Sequence, residues 1–218
     1  MKGIIRIFKV CPVFWSLLLT VLCVSGFFLA LFSAKDIFFR LNTVHTLYLD
    51  TLFENYTLLG DGVTSIAIFL VLLLVDRGAL AMQVLTAYVF SGIISQVLKR
   101  WFHAPRPMAI IHNTEYPYFI DGVTHSGMTS FPSGHTTSVF ALATILALNT
   151  KDKRLSLIYL VTAFITGYSR IYLGQHFLAD VVAGALIGVF SALLVYWYLS
   201  QIKIEWRGVN NEGQIQLQ

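Results

Sequence analysis

Long apolar runs alternate with short polar stretches along the chain, and these runs are its strongest structural signal. With their small flanking residues, they approach the roughly 20 residues that a helix needs to cross a bilayer. Backbone groups in hydrocarbon must be hydrogen-bonded within their own segment, so the runs predict helices. The six runs are Val13–Phe32, Thr64–Val75, Ala79–Leu98, Thr136–Leu148, Leu155–Ile171 and Phe177–Leu199.

Two stretches between the runs are long enough to have structure of their own. From Leu41 to Gly60, apolar residues recur at three- and four-residue steps. That spacing predicts an amphipathic helix on the membrane interface, with His45, Asp50 and Glu54 on its water-facing side. The stretch from Met108 to Phe131 has no such period, and a loop of this length is usually functional or mobile.

The predicted fold is therefore all-α, a polytopic membrane protein with six transmembrane helices and an interfacial amphipathic helix on the outer face. Composition agrees, because 56% of the residues are hydrophobic and 12% are charged, whereas soluble domains carry about 25% charged residues. Residues 1–204 are predicted to form one membrane-embedded domain, followed by a polar tail over residues 205–218.

The distribution of Lys and Arg indicates the orientation of the chain, because cytoplasmic loops are enriched in both. With both termini inside and the first run as an uncleaved anchor, nine of these residues fall inside and six outside. The net charge of +4 is accounted for by these flanking residues, so it does not indicate a nucleic-acid partner. The inner set is Lys2, Arg6, Lys9, Arg77, Lys151, Lys153, Arg154, Lys203 and Arg207, and the outer set is Lys35, Arg40, Lys99, Arg100, Arg106 and Arg170.

Three polar clusters interrupt the apolar background. The first cluster ends the third run, the second begins the fourth run, and the third joins the fifth run to the sixth. Because successive helices cross the membrane in opposite directions, all three clusters lie on one side of it. Ionisable groups near hydrocarbon usually mark a functional site. The clusters are Lys99–Pro107, Pro132–His135, and Ser169–Arg170 with His176 and Asp180.

The cations in these clusters predict a phosphate site. Lys99, Arg106 and Arg170 supply positive charge, and the arginine fork matches phosphate oxygens in two-point contacts. Ser133 and Gly134 open the fourth helix, where free N–H groups and the helix dipole favour an anion. Such a cradle stabilises the charge on a transferring phosphoryl group.

The histidines supply reactive groups for that cradle. His176 and Asp180 are four residues apart and share one helix face. A carboxylate on one ring nitrogen fixes the tautomer and leaves the other nitrogen free to attack phosphorus. His135 is positioned to protonate the leaving oxygen and then to activate water. Three cations would repel a divalent ion, and the sequence has no acidic cluster to bind one, so we expect neither metal nor another cofactor.

The three clusters resemble the signature of the type 2 phosphatidic acid phosphatase superfamily: K-x6-RP, PSGH and SR-x5-H-x3-D. All eleven specified positions match in order and spacing, and the resemblance extends over residues 42–195. It implies a metal-independent membrane phosphatase with His176 as nucleophile, Asp180 as its orienting group and His135 as general acid. It also implies that Lys99, Arg106, Ser133, Gly134 and Arg170 bind the substrate phosphate.

The predicted activity is hydrolysis of a phosphomonoester or diphosphate on a membrane lipid, through a phosphohistidine intermediate, at the outer face of a bacterial inner membrane. Candidate substrates are undecaprenyl diphosphate, phosphatidylglycerol phosphate and lipid A phosphate. Two alternatives remain open, a phosphotransferase that passes the phosphate to a lipid acceptor and a transporter or scaffold with an inactive site. The membrane helices disfavour the haloperoxidase activity of some family members. The sequence identifies neither the lipid nor the oligomeric state.

Overall fold

The computed structural model of the chain describes residues 9–201, and every regular element in that range is helical. The N-terminal Lys2 and Arg6, together with the predicted polar tail, lie outside the described residues. A 3-10 turn over Thr57–Gly60 separates the third and fourth helices. The helices are α1 Pro12–Leu31, α2 Ala34–Leu41, α3 Leu47–Tyr56, α4 Gly62–Leu74, α5 Gly78–Phe102, α6 Pro107–Ile110, α7 Gly134–Asn149, α8 Lys153–Tyr172 and α9 Leu178–Gln201.

Each of the six apolar runs corresponds to one helix, namely α1, α4, α5, α7, α8 and α9. Within the described range, four segments are long and apolar enough to cross a membrane: α1, α5 extended through α6, α8 and α9. A fifth span results if α3, the 3-10 turn and α4 are counted together, with a bend of 56° between the two parts. The chain is thus an all-helical integral membrane protein with four to five candidate spans.

The amphipathic segment is shorter than the pattern over Leu41–Gly60 predicts. Asn42 ends α2, and its amide donates to the carbonyls of Phe38 and Ile171 at 3.1 and 3.2 Å. Helix α3 begins only after Thr46, whose hydroxyl accepts from the Leu49 N–H at 3.2 Å. Two polar caps therefore interrupt what the periodicity alone predicts to be one continuous helix.

Helix α7 is the central helix and packs against α9, α8 and α5. It approaches α9 closely because α9 carries glycine at 184 and 188. A Cβ atom at Gly184 would lie 2.6 Å from the Ser133 carbonyl oxygen, and one at Gly188 would lie 2.9 Å from the Ala141 nitrogen. Both neighbours are backbone atoms that cannot move aside, so these glycines set the distance between the start of α7 and the start of α9.

Candidate active site

His176 lies in the short turn between α8 and α9, where a carboxylate and a hydroxyl face its Nδ1 atom. Asp180 Oδ2 is 3.5 Å from Nδ1, and Ser130 Oγ is 3.3 Å from it. The Ser130 hydroxyl donates to Asp180 Oδ2 at 2.6 Å, and the Phe177 N–H donates to the same oxygen at 2.9 Å. The imidazole is 2% exposed, so protein groups hold it in place.

These contacts select one tautomer of His176. A serine hydroxyl has a single proton, and the Ser130 proton is directed to Asp180. The Ser130 oxygen therefore accepts from Nδ1–H, with the Asp180 carboxylate close enough to favour the proton on that nitrogen. The other ring nitrogen, Nε2, keeps its lone pair, which is the form that a nucleophilic imidazole needs.

Burial favours the neutral ring as well. It lowers the pKa of His176 to about 4, against the opposing effect of its hydrogen bond to Asp180, while the Arg170 cation lowers this pKa further. Moving the charged imidazolium out of water costs much free energy, whereas moving the neutral ring out of water costs little. His176 is therefore an uncharged imidazole at neutral pH, unless a bound anion raises its pKa.

The start of α7 faces Lys99. Ser133 caps this helix, and its side-chain oxygen accepts from the Thr136 N–H at 3.4 Å. The Ser133 N–H donates to the Asp180 carbonyl at 3.0 Å, which joins the second cluster to the third. A Cβ atom at Gly134 would have one neighbour within 4 Å, Lys99 Cε at 3.9 Å. Space and positive charge thus occur together at the helix start, as the anion cradle requires.

Two arginines complete the positive charge. Arg106 Nη1 donates to the Gln175 side-chain oxygen, directly beside His176 in the chain. Arg170 is 7% exposed, and its Nη1 donates to Thr57 Oγ1 at 2.6 Å. The Nε of Arg170 is buried and has no hydrogen-bond partner among the described residues. Buried donors are rarely left without a partner, and a phosphate oxygen is an acceptor that would satisfy this one.

His135 lines a cavity of about 510 Å³ between the start of α4, the face of α5 and the start of α7. Its neighbours in the lining include Gly60, Tyr88, Gly134 and Ser138. The cavity also contains Val89, Ile93 and Val97, which are exposed apolar side chains at four-residue steps on α5. It therefore joins a histidine at the polar end of the bundle to the apolar outer face of α5.

The structure brings the predicted residues to one end of the bundle. His176, Asp180 and Ser133 are joined by direct contacts, and Lys99 lies against Gly134. Arg106 is linked to the site through Gln175, and the Arg170 carbonyl accepts from the His176 N–H at 3.1 Å. His135 follows Gly134 on α7 and lines the cavity beside it.

Sequence reasoning missed three residues that hold this arrangement together, namely Ser130, Gln175 and Thr57. Ser130 is three residues before Ser133, and Gln175 falls in the variable stretch before His176. The three motifs specify neither position, although polar residues beside a motif are a usable signal. The contact between Thr57 and Arg170 spans 113 residues, and no local pattern indicates it.

His45 and Asp50 do not form the predicted water-facing side, so this prediction is wrong for both. Asp50 Oδ1 is 3.2 Å from His45 Nδ1 and accepts from the Tyr172 hydroxyl at 2.6 Å. The His45 side chain is 4% exposed and is stacked between the rings of Tyr118 and Tyr172. An amphipathic pattern cannot distinguish polar groups that face water from polar groups that pair with tyrosines of distant segments.

The Met108–Phe131 loop is attached to the helices at several points. The hydroxyl of Tyr116 is 2.7 Å from His45 Nε2, and Glu115 forms an ion pair with Lys35 at 2.5 Å. Thr124 donates to the Leu173 carbonyl at 2.9 Å, and the Arg106 N–H donates to the Gly127 carbonyl at 2.8 Å. These contacts hold the loop over α2, α3 and the turn that carries His176.

No group of three or more His, Cys, Asp or Glu side chains within residues 9–201 is arranged to hold a metal ion. Three of the acidic side chains in the described part pair with protein groups: Asp180 faces His176, Asp50 faces His45, and Glu115 is paired with Lys35. The reactive groups that the described residues bring together here are histidines and cations.

Comparison with known proteins gives matches over the same region. The profile of the PAP2 superfamily matches residues 80–204. The chain is 35% identical to the bacitracin transport permease protein BcrC of Bacillus licheniformis over 51% of each chain. It is 39% identical to a lipid A 4'-phosphatase of Bacteroides thetaiotaomicron, over 37% of this chain and 35% of that protein. The aligned part is thus about half of the first relative and about a third of the second.

A solved structure resembles a larger part of the chain. The crystal structure of Aquifex aeolicus LpxE superposes with a TM-score of 0.65 at 30% sequence identity. The superposition covers 75% of this chain and 94% of that chain. The shared region therefore includes nearly the whole fold of that protein, beyond the three clusters.

Proposed function

Because the chain belongs to the PAP2 superfamily, we propose that it is a lipid phosphatase that forms a phosphohistidine on His176 without a metal. The observation that carries this proposal is the buried set of His176, Asp180 and Ser130, which leaves Nε2 unprotonated within the field of the Arg170 and Arg106 cations. A neutral imidazole with a fixed tautomer is poised for attack, and cations in a site of low dielectric stabilise the charge that develops on the phosphoryl group.

In the first step, Nε2 of His176 attacks phosphorus and the bond between phosphorus and the lipid oxygen breaks. Asp180 stabilises the positive charge that the ring acquires, in the way the carboxylate acts in the serine triad. Lys99, Arg106, Arg170, the Ser133 hydroxyl and the Gly134 N–H bind the equatorial phosphate oxygens.

His135 acts on the leaving oxygen in the same step. It takes the proton that the phosphate monoester carries when it binds and donates this proton to the lipid oxygen as the bond breaks, so that the lipid alcohol departs and His135 is left neutral. In the second step the neutral His135 takes a proton from water, the water oxygen attacks the phosphohistidine, and inorganic phosphate is released. One histidine thus serves as acid and then as base.

The lipid tail is placed in the cavity that His135 lines. Its exposed edge at Val89, Ile93 and Val97 would contact acyl or prenyl chains, while the headgroup reaches the cations. We place six membrane spans in the chain, with α4 as the second span and with α7 enclosed by its neighbours. Helix α3 would then lie on the outer interface. Both termini would lie in the cytoplasm, and the site would lie at the periplasmic face of a bacterial inner membrane.

The proposed enzyme is a single domain over residues 1–204 with a polar tail over 205–218. Its substrate belongs to the class of undecaprenyl diphosphate, phosphatidylglycerol phosphate or lipid A phosphate. A relative that is named a lipid A phosphatase supports this class. Transfer of the phosphate to a lipid acceptor would use the same first step. In the second step, the lipid acceptor would attack the phosphohistidine in place of water.

A non-enzymatic transporter is the second candidate function, because another relative is named a transport permease. The buried His176 with its two orienting groups favours the enzyme. A transport pathway has no need for a histidine whose tautomer is fixed and whose pKa is lowered by burial.

Release of inorganic phosphate from purified lipids tests the proposal. We expect the purified protein to release phosphate from at least one of the three lipid classes with EDTA present, and a His176→Ala variant to release none. Free phosphate from a single lipid without an acceptor distinguishes hydrolysis from transfer. Protein that is inert toward all three lipids and toward added acceptors would favour the transporter.

Replacing Ser130 with alanine is expected to lower kcat about 10-fold or more while leaving KM nearly unchanged. The variant loses the hydroxyl that receives Nδ1–H and donates to Asp180, and hydrogen bonds to charged groups contribute about 1.5–3 kcal/mol. Steady-state kinetics on the preferred lipid would measure the two constants separately.

Ser91→Ala is the matched control for Ser130→Ala. Ser91 is also fully buried, and its hydroxyl donates only to the Tyr88 carbonyl within its own helix. We expect this control to keep both kinetic constants. An unchanged kcat in Ser130→Ala would contradict the orienting role of Ser130.

A further inference from the structure

A second, smaller cavity of about 320 Å³ adjoins the one that His135 lines. Its lining consists of Gln96, Lys99, Arg100, His103 and Thr129. Gln96 and Arg100 line both cavities, so the two spaces meet along one face of α5. Positions 96, 100 and 103 are four and three residues apart, a spacing that puts them on the same side of a helix.

The charge of this second cavity is positive and unbalanced. Lys99 donates to the Thr129 carbonyl at 3.0 Å, and His103 ends α5 in a left-handed conformation with φ of 42°. Within residues 9–201, neither Lys99 nor Arg100 forms an ion pair, and the Arg100 side chain has no hydrogen bond. An exposed guanidinium beside a second cation, without an acidic neighbour, favours an anionic ligand.

Arg100 is a cation that the removal of one phosphate does not require. The transferred phosphate already has Lys99, Arg106 and Arg170, together with the N–H groups at the start of α7. Arg100 lies instead where the cavity with His135 meets the second cavity. That position is next to the leaving group, on the side from which the lipid tail approaches.

We propose that the second cavity binds a second, non-transferred phosphate through Arg100, so that the substrate class is a lipid diphosphate. This inference rests on the proposed function. His176 attacks the terminal phosphorus, the bond from that phosphorus to the bridging oxygen breaks, and this oxygen keeps the electron pair. The leaving group is a lipid monophosphate. Water then cleaves the phosphohistidine and gives inorganic phosphate.

Arg100 would act most strongly as that bond breaks. In the transition state the leaving lipid phosphate gains negative charge, which spreads onto its non-bridging oxygens. A fixed guanidinium beside these oxygens stabilises this charge more than it stabilises the bound substrate. A lipid monophosphate with the same tail has no second phosphate, so Arg100 has little to stabilise there. The chemistry therefore predicts a difference between two substrates that differ by one phosphate.

Farnesyl diphosphate and farnesyl phosphate are matched probes for this difference. In Arg100→Gln, we expect kcat/KM for the diphosphate to fall about 10-fold or more, and kcat for the diphosphate to fall as well. For the monophosphate, kcat/KM should change less than about twofold. Arg100→Lys should restore part of the loss. Arg40→Gln is the control, because Arg40 is exposed, stacks on Phe32 and lines neither cavity.

Each other outcome has a distinct meaning. An equal loss on both probes, or no loss on either, overturns the subsite. Wild-type protein that hydrolyses the monophosphate but not the diphosphate overturns the substrate class and leaves the phosphatase intact. Wild-type protein that hydrolyses neither probe and none of the three lipid classes overturns the proposed function itself.

Competitive inhibition of the wild-type protein tests the subsite without any variant. Inorganic pyrophosphate should inhibit at a concentration about 10-fold or more below that of inorganic phosphate, because it can occupy both positions. Equal inhibition by the two ions would overturn the proposal, even if Arg100→Gln failed to fold.

Discussion

Replacing His176 with asparagine is expected to reduce lipid phosphate hydrolysis on the order of 10⁴-fold, because loss of a catalytic nucleophile typically costs that much or more. Asparagine keeps a polar side-chain amide that can contact Asp180 and Ser130. It has no imidazole ring and therefore no Nε2 atom to attack phosphorus. Phosphate release from the preferred lipid, followed in wild type and variant at equal protein concentration, measures the loss.

The variant should also fail to form the covalent intermediate. Wild-type protein mixed with ³²P-labelled lipid and stopped in alkali should carry label that survives base and is lost in acid, as the phosphorus–nitrogen bond of a phosphohistidine requires. His176→Asn should carry none. His112→Asn, which changes an exposed loop histidine, should label normally. Persistent alkali-stable labelling of His176→Asn would place the nucleophile elsewhere.

The pH range of labelling follows from the burial of His176. Its pKa is lowered to about 4, so the neutral, attacking form predominates above that pH and is lost as pH falls through it. The free imidazole of an exposed histidine would instead be largely protonated below about pH 6.5. The unprotonated nucleophile is thus available across the whole neutral pH range, and protonation of His176 does not limit labelling at neutral pH.

The helices were predictable from the sequence because apolar runs of this length have few alternatives in a bilayer. All six runs are helices, and their alternation also explains why three distant clusters meet at one end of the bundle. The cations, Ser133 and the two histidines were identified in the same way, since each stands out against an apolar background. Their proposed roles remain predictions.

What the sequence did not indicate depends on contacts between distant segments. Ser130 reaches His176 across 46 residues, and Thr57 reaches Arg170 across 113, so neither has a local signature. The close contacts of Gly184 and Gly188 with the backbone of α7 likewise join segments that are far apart in the chain. His45 was misassigned because its partners, Tyr116 and Tyr118, belong to a loop without periodicity.

Replacing His135 with alanine is expected to lower lipid hydrolysis by about 10²- to 10⁴-fold, the usual contribution of a positioned acid or base. The loss should shrink when the leaving group is p-nitrophenolate, because a good leaving group departs without a proton. Kinetics on the lipid and on p-nitrophenyl phosphate, compared in wild type and variant, would measure this difference.

The same variant distinguishes the two duties of His135. With p-nitrophenyl phosphate the first step no longer needs an acid, whereas attack by water still needs a base. Phosphohistidine should therefore accumulate in His135→Ala, with a burst of about one p-nitrophenolate per protein before slow turnover. His112→Ala, at an exposed loop histidine that lines neither cavity, should show no burst. Equal losses on both substrates without a burst would mean that His135 positions the phosphate and transfers no proton.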